Sequence, residues 1–214
     1  VRYYENEQDC NNELRSNDLL DTLSKMPELD HALLREIQKR NGSATSDDVL
    51  TMIREGVISF AFVIGGQGPA AFGMPEMFAP SQSLRHLGVI ERSSLLMTDG
   101  RYSGVRKGPC SGHMVPAACE GGGIGTLTHG ELLWVRWSQK RIDLLDKPEF
   151  LNGKLEPLAQ APVEERRPLI EARKARMEKR QLQIAACSLL SDVTHAEYGV
   201  VPLTVHKRAT IPLF

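Results

Sequence analysis

The feature that most constrains the fold of this chain is an apolar run at residues 57–64 that ends in a glycine-rich loop. The run reads VISFAFVI, with β-branched and aromatic side chains at most of its positions. Such a run suits a strand that is buried on both of its faces. The letters GGQGP follow at once, at residues 65–69. The sequence therefore predicts a buried strand that opens into a glycine loop.

A second apolar run, at residues 95–97 of a strand expected at 94–97, leads into the letters TDGRYSG at residues 98–104. This loop brings a carboxylate (Asp99), a guanidinium (Arg101) and a hydroxyl (Ser103) close together in the chain. A loop that follows a buried strand is a common place for ligand-binding groups. The simpler interpretation is a polar β-turn, because Asp-Gly is a frequent hairpin signal. Both interpretations stay open for the loop on its own.

The other expected elements follow from hydrophobic periodicity, capping residues and helix breakers. Short helices are expected at residues 30–40, 46–56, 77–87 and 115–120, the third beginning properly near Pro80. A hairpin is expected from residues 124–128 and 131–137, a further strand at 141–145 and a charged helix at 164–190. Alternating Glu and Arg on that last helix favour a solvated, salt-bridged face over an RNA-binding one.

Composition divides the chain into three parts. Residues 1–45 are expected to be a lead-in and remnant of a preceding region, residues 46–146 the folded domain, and residues 147–214 a proline-punctuated linker, charged helix and docking tail. The last part has little to cover in a compact domain, so we expect it to contact a second subunit or domain.

Charge and cysteine content limit the classes of partner. The 214 residues carry 26 basic and 27 acidic side chains, which gives no overall electrostatic case for binding nucleic acid or a membrane. The four cysteines form no CxxC pair, and a reducing, cytoplasmic location is the default expectation. No apolar run approaches the roughly 20 residues that cross a bilayer. Small molecules and other protein are the expected partners.

Five motifs in register carry a more specific signal. The letters GQGP, GMPEM, TDGRYSG, GH with a proline three residues after the histidine, and EGG occur in that order within residues 47–146. In this order and spacing the region resembles the C-terminal domain of the dihydroxy-acid dehydratase and phosphogluconate dehydratase family. The resemblance implies an α/β fold with a β-barrel-like mixed sheet flanked by short helices, followed here by a C-terminal helical appendage. It also implies a hydro-lyase.

The resemblance assigns roles to individual residues. Glu76 of GMPEM matches the family's magnesium-binding glutamate, and Ser103 matches the serine proposed as the base that takes the substrate's α-proton. Asp99 and Arg101 either bind the substrate or fix the loop. His113 is a further candidate acid or base, although a hydrogen-bonded structural role is the simpler interpretation.

The resemblance also implies cofactors that this chain cannot hold alone. Family members use Mg²⁺ and an iron–sulfur cluster whose cysteine ligands belong to an N-terminal domain not found in these residues. Cys110 and Cys119 are therefore interpreted as small buried residues. We expect the chain to be inactive by itself, to pair with an N-terminal dehydratase domain and to form a homo-oligomer, as family members do.

The substrate is expected to be a sugar acid. The segments DGRYSG, EGGGI and RIDLLD are most similar in sequence to xylonate-type dehydratases, which make 2-keto-3-deoxy acids. The branched-chain dihydroxy acid is the alternative substrate. Val115 and Ala117 stand where relatives commonly have a hydroxyl and a carboxylate, which leaves a catalytically silent interaction domain as a second alternative.

Overall fold

A computed structural model of the chain describes residues 1–17, 19, 59–102, 108–131, 133–144 and 165–183. The expected helices at residues 30–40 and 46–56 lie outside the described residues, as do both domain boundaries. No described helix is both long and apolar enough to cross a membrane. The described helices are α1 (Glu7–Leu14), α2 (Pro69–Phe72), α3 (Phe78–Arg85), α4 (Val89–Ser93) and α5 (Arg167–Gln183). The strands are β1 (Arg2–Tyr4), β2 (Ala61–Ile64), β3 (Leu95–Thr98), β4 (Cys110–Ser111), β5 (Leu133–Arg136) and β6 (Arg141–Leu144).

The centre of the fold is a parallel sheet in the order β1-β2-β3-β4. Every residue of β2 and β3 is buried. Alternate side chains of β2 enter different apolar clusters: Phe62 and Ile64 pack toward α1 and α3, whereas Val63 packs toward β5 and β6. Strands covered on both faces are typical of parallel sheets. The predicted α/β class and the buried strand within residues 57–64 are therefore confirmed.

Two further elements are confirmed at nearly the expected bounds. Helix α3 lies within the expected 77–87, with Pro80 in its first turn, where the missing N–H of proline costs no hydrogen bond. Strand β6 matches the strand expected at 141–145, but its partner is β5.

The hairpin expected from residues 124–128 and 131–137 is wrong. Gly123–Thr126 forms a 3₁₀ turn, and the Thr126 hydroxyl donates to the carbonyl of Gly123 at 2.8 Å. Closely spaced glycines and this side-chain bond give the backbone an alternative to a strand ladder. The helix expected at 115–120 is likewise reduced to the 3₁₀ turn Ala118–Glu120.

The two ends of the described chain close over the sheet. Strand β1 is an edge strand, and α1 contributes Cys10 and Leu14 to the same core as β2. Helix α5 buries Met177 and lays the Arg173 guanidinium 3.8 Å from the centre of the Tyr3 ring. The described part of the expected appendage therefore packs on this domain, contrary to the expectation that it has little to cover here.

Helix α5 is held to the start of the chain by a shared carboxylate. Arg173, Arg176 and Arg180 lie at helical spacing on one face of α5, and all three pair with Glu5. The hydrogen bond from Arg176 holds the pKa of Glu5 below its ordinary value of 4.5. One carboxylate thus joins residues that are 171 positions apart in the sequence.

We expect Glu5→Gln to lower the free energy of unfolding by about 1 kcal/mol, because three partly exposed guanidinium groups lose their counter-charge. Because the folded-state pKa is lowered, the stabilisation is present in full above pH 4.5 and is lost as pH falls through the lowered value. Urea unfolding at pH 7 and pH 3 measures both effects.

Glu178→Gln is the matched control, since Glu178 is an exposed carboxylate on α5 itself. It should unfold like the wild type at both values of pH. An equal loss of stability in the two variants at pH 7 would show that the Glu5 pairs contribute nothing specific.

Candidate active site

The loops that carry the sequence motifs meet at one edge of the parallel sheet. Ile64 at the end of β2 pairs with Thr98 at the end of β3. The glycine loop at 65–69 and the loop that begins at Asp99 therefore leave the sheet side by side. The carboxyl edge of an open parallel sheet is a frequent ligand site.

The Asp99 side chain lies inside this edge and binds only backbone donors among the bonds described. Its Oδ1 accepts from the amide of Gln67 at 2.8 Å, and its Oδ2 accepts from the amides of Gly66 at 3.1 Å and Ala118 at 2.8 Å. The residue is 1% exposed. Burial raises the pKa of the Asp99 carboxyl, and the three amides offset part of that effect. Asp99 thus fixes two loops, and its role as a substrate ligand stays a prediction.

The main chain on either side of Asp99 holds a third segment, at His113 and Met114. The carbonyl of Thr98 accepts from the amide of Met114 at 3.2 Å, and the carbonyl of Gly100 accepts from the amide of His113 at 2.9 Å. His113 has a positive φ of 54°, and its side chain is exposed at this edge. Its role as an acid or base stays a prediction.

Arg101 is next to the loop that carries Glu76. Glu76 and Arg101 form an isolated parallel β-bridge, in which the Arg101 amide donates to Pro75 at 2.9 Å and the Arg101 carbonyl accepts from Met77 at 2.8 Å. The Arg101 side chain adds a bond from Nε to the carbonyl of Met74. Glu76 and Arg101 are both exposed, so the structure brings together the residue predicted to bind metal and one predicted to bind substrate.

Ser103 lies outside the described residues. The chain leads to it through Tyr102, which packs against the core cluster of Phe62 and Ile64. The place of Ser103 in the TDGRYSG motif is the basis on which it stays a candidate.

The described cysteines do not fit an iron–sulfur cluster. Cys10 is buried in the apolar core, Cys119 is half-buried and Cys110 is exposed. Burial raises the pKa of the Cys119 thiol to about 12 and also raises that of Cys10, which disfavours the thiolates that bind iron. Cys187 lies outside the described residues.

A magnesium ion fits this edge only in part. The exposed carboxylate of Glu76 is the kind of hard oxygen ligand that Mg²⁺ prefers. Within the described ranges, no group of three or more His, Cys, Asp and Glu side chains could hold a metal ion. Glu76 therefore suits one position of a site that other residues would complete.

Sequence reasoning missed the backbone partners at this edge. The amide of Ala118 is the third hydrogen-bond donor to Asp99, and the two-residue strand β4 extends the sheet. Neither feature has a side-chain pattern that predicts it. One signal was present: a lone aspartate directly after a buried strand, with glycine loops on either side, must find donors when it is buried.

Comparison with known proteins identifies similar sequences. The family model described as "Dihydroxy-acid/6-phosphogluconate dehydratase C-terminal" matches residues 32–190. The dihydroxy-acid dehydratase of Clostridium novyi is 44% identical over 101 residues, which make up 47% of this chain and 18% of that protein. The chloroplastic dihydroxy-acid dehydratase of Arabidopsis thaliana is 41% identical over 93 residues, 43% of this chain and 15% of the relative.

A longer match extends over more of the chain. The dihydroxy-acid dehydratase of Carboxydothermus hydrogenoformans is 35% identical over 128 residues, 56% of this chain and 23% of that protein. The matched region is thus less than a quarter of each of these three relatives.

We expect Gly100→Ala to disturb this edge, because a Cβ at Gly100 would lie 2.8 Å from the carbonyl oxygen of Pro75. The clash is with backbone and pushes the Glu76 loop away from Arg101. The expected loss is about 1–3 kcal/mol of unfolding free energy, measured by urea unfolding.

Gly123→Ala is the control, since a Cβ there meets nothing within 4 Å. That variant should be neutral or slightly more stable, because alanine restricts the unfolded chain. Equal stability of the two variants would contradict the close approach at Gly100.

Proposed function

We propose that this chain forms the C-terminal part of a hydro-lyase. The chain belongs to the family of C-terminal domains of dihydroxy-acid and 6-phosphogluconate dehydratases. The reaction removes the α-proton and the β-hydroxyl of a 2,3-dihydroxy acid as water. The resulting enol becomes a 2-keto acid. The observation that carries the proposal is the pairing of exposed Glu76 with exposed Arg101 at the carboxyl edge of the sheet.

A dihydroxy acid is the substrate class that the relatives favour. All three relatives described above are named dihydroxy-acid dehydratases. The motifs of the sequence favour a sugar acid, whereas the comparisons support the alternative, a branched-chain dihydroxy acid, better. A sugar acid carries the same 2,3-dihydroxy acid group, so it remains the second candidate. The amino-acid sequences of the segments DGRYSG, EGGGI and RIDLLD are the observation that favours a sugar acid.

Each candidate residue at this edge of the sheet has a separate role in the proposed reaction. Arg101 presents a guanidinium suited to the substrate carboxylate, and Ser103 takes the α-proton. A serine hydroxyl is a weak base, so this role needs nearby donors or a cation that favours the alkoxide. Glu76 would hold a Mg²⁺ ion, which draws charge from the substrate carboxylate and α-oxygen when it is bound.

The remaining parts of the active site belong elsewhere in the protein. The described cysteines do not fit an iron–sulfur cluster, so a cluster would take its ligands from the remainder of the protein, such as an N-terminal dehydratase domain. A homo-oligomer and a cytoplasmic location stay predictions, and one relative is named chloroplastic.

The complete protein, expressed anaerobically with Mg²⁺, tests this function. We expect it to convert a branched-chain 2,3-dihydroxy acid into a 2-keto acid, detected as a hydrazone, and to do so with a higher kcat/KM than with an aldonate. Preference for the aldonate would restore the sugar-acid interpretation. Absence of turnover with both substrates would favour a catalytically silent interaction domain.

Two substitutions in the complete protein separate the proposed roles. Glu76→Gln keeps the size and removes the charge, so it should raise the Mg²⁺ concentration needed for half-maximal rate. Ser103→Ala should leave that concentration unchanged and lower kcat by about 10²- to 10⁴-fold, the usual contribution of a general base. Steady-state rates across a Mg²⁺ titration measure both.

Glu171→Gln removes an exposed carboxylate on α5 and serves as the control for general charge effects. It should behave like the wild type. A Ser103→Ala variant with near wild-type kcat would transfer the proton to another group, with His113 the first candidate.

A further inference from the structure

We propose that Asp99 is a positioning residue that locks the loops of the active-site edge together, and that it does not bind the substrate. The inference rests on the proposed function, because it concerns the same edge. It decides between the two roles that the motif alone leaves open for Asp99, substrate binding and loop fixation.

The first argument is that the carboxylate is buried and that both of its oxygens already accept hydrogen bonds. Its two oxygens accept from three backbone amides, and the residue is 1% exposed. At this burial a substrate could reach the carboxylate only if the loops around it moved and their amides lost their acceptor, which is costly. Asp99 also carries negative charge when ionised, which would repel a substrate carboxylate.

The second argument is that all three backbone groups bound to the Asp99 carboxylate are hydrogen-bond donors. Three N–H groups suit an ionised carboxylate, which only accepts hydrogen bonds. An asparagine at this position would turn its NH₂ group toward at least one of those N–H groups. Oδ2 serves Gly66 and Ala118, and Oδ1 serves Gln67, so neither orientation of the amide satisfies all three.

The third argument is that the fixed loops leave no room for adjustment. A Cβ at Gly68 would lie 2.5 Å from the Cβ of Ala117, so the two loops that Asp99 ties together touch each other directly. The same chain segment continues into Gly100 and Arg101, which hold His113 and the Glu76 loop by main-chain bonds. A change at Asp99 therefore displaces Arg101 and the Glu76 loop together, relative to the glycine loop at 65–69 and to Ala118.

The test compares Asp99→Asn with Asp143→Asn in the complete enzyme. Asp143 is also a buried aspartate, but it pairs with Arg136 and Arg141 in the β5–β6 hairpin. Misplacement of catalytic groups by about 1 Å costs about 10²-fold in rate. We expect Asp99→Asn to lower kcat per folded molecule by about that factor with KM changed less than about threefold, and Asp143→Asn to leave both unchanged.

Each other outcome overturns the inference. A rise in KM with unchanged kcat would make Asp99 a substrate ligand, and unchanged values of both would make it purely structural. If the unmutated complete enzyme has no dehydratase activity, the proposed function fails first and this inference with it. That result is distinct from an active enzyme whose Asp99→Asn variant behaves in one of these two ways.

A second measurement holds even if Asp99→Asn does not fold. Hydrogen exchange of the unmutated enzyme is followed at Gly66, Gln67 and Ala118, with and without the 2-keto acid product. A positioning residue keeps these amides protected in both states. Protection that is lost when the product binds would show that the carboxylate leaves them for the ligand and would overturn the inference.

Discussion

The arrangement of the loops at the carboxyl edge of the parallel sheet depends on the hydrogen bonds that three backbone amides donate to the Asp99 carboxylate. A buried charge is expensive in a protein interior, and it persists where donors satisfy it. Here the donors come from two separate loops, so satisfying the charge also fixes the loops. The glycines nearby have a related cause, because the loops approach so closely that a Cβ at Gly68 or Gly100 would collide with its neighbours.

The sheet beneath this edge is stable only because both of its faces are covered. One face is covered by α1 and α3, and the other by the β5–β6 hairpin together with the 3₁₀ turns that follow β4. Helix α5 then closes over the turns through Arg173, which donates to the carbonyl of Gly125 at 2.6 Å. The charged helix thus supports the 3₁₀ turns, although it lies far away in the sequence.

The parts of the fold that sequence could predict are those with local signals. The run at 57–64 predicts a doubly buried strand, Pro80 marks the first turn of α3, and strand β6 follows from its own pattern. Strand β4 and the turn near Ile124 had no such local signal. Strand β4 has only two residues, and the glycines near Ile124 allow a turn where the alternation of side chains favoured a strand.

The same limit applies to the candidate site. Motif order placed Glu76 and Arg101 in one site, and the structure pairs them in a β-bridge. Sequence left the role of Asp99 open between substrate binding and loop fixation, because its decisive partners are backbone amides that any residue could supply. It also favoured a solvated, salt-bridged face for α5, but it could not identify Glu5 as the partner of Arg176, because that pairing depends on tertiary folding.

The most direct test of this account is a crystal structure of the complete protein with Mg²⁺ and the 2-keto acid product. The account predicts that the Asp99 oxygens stay within about 3 Å of the amide nitrogens of Gly66, Gln67 and Ala118. The product should lie on the exposed side of the edge, beside Glu76 and Arg101. An Asp99 carboxylate turned away from these amides and bonded to the product would contradict the account.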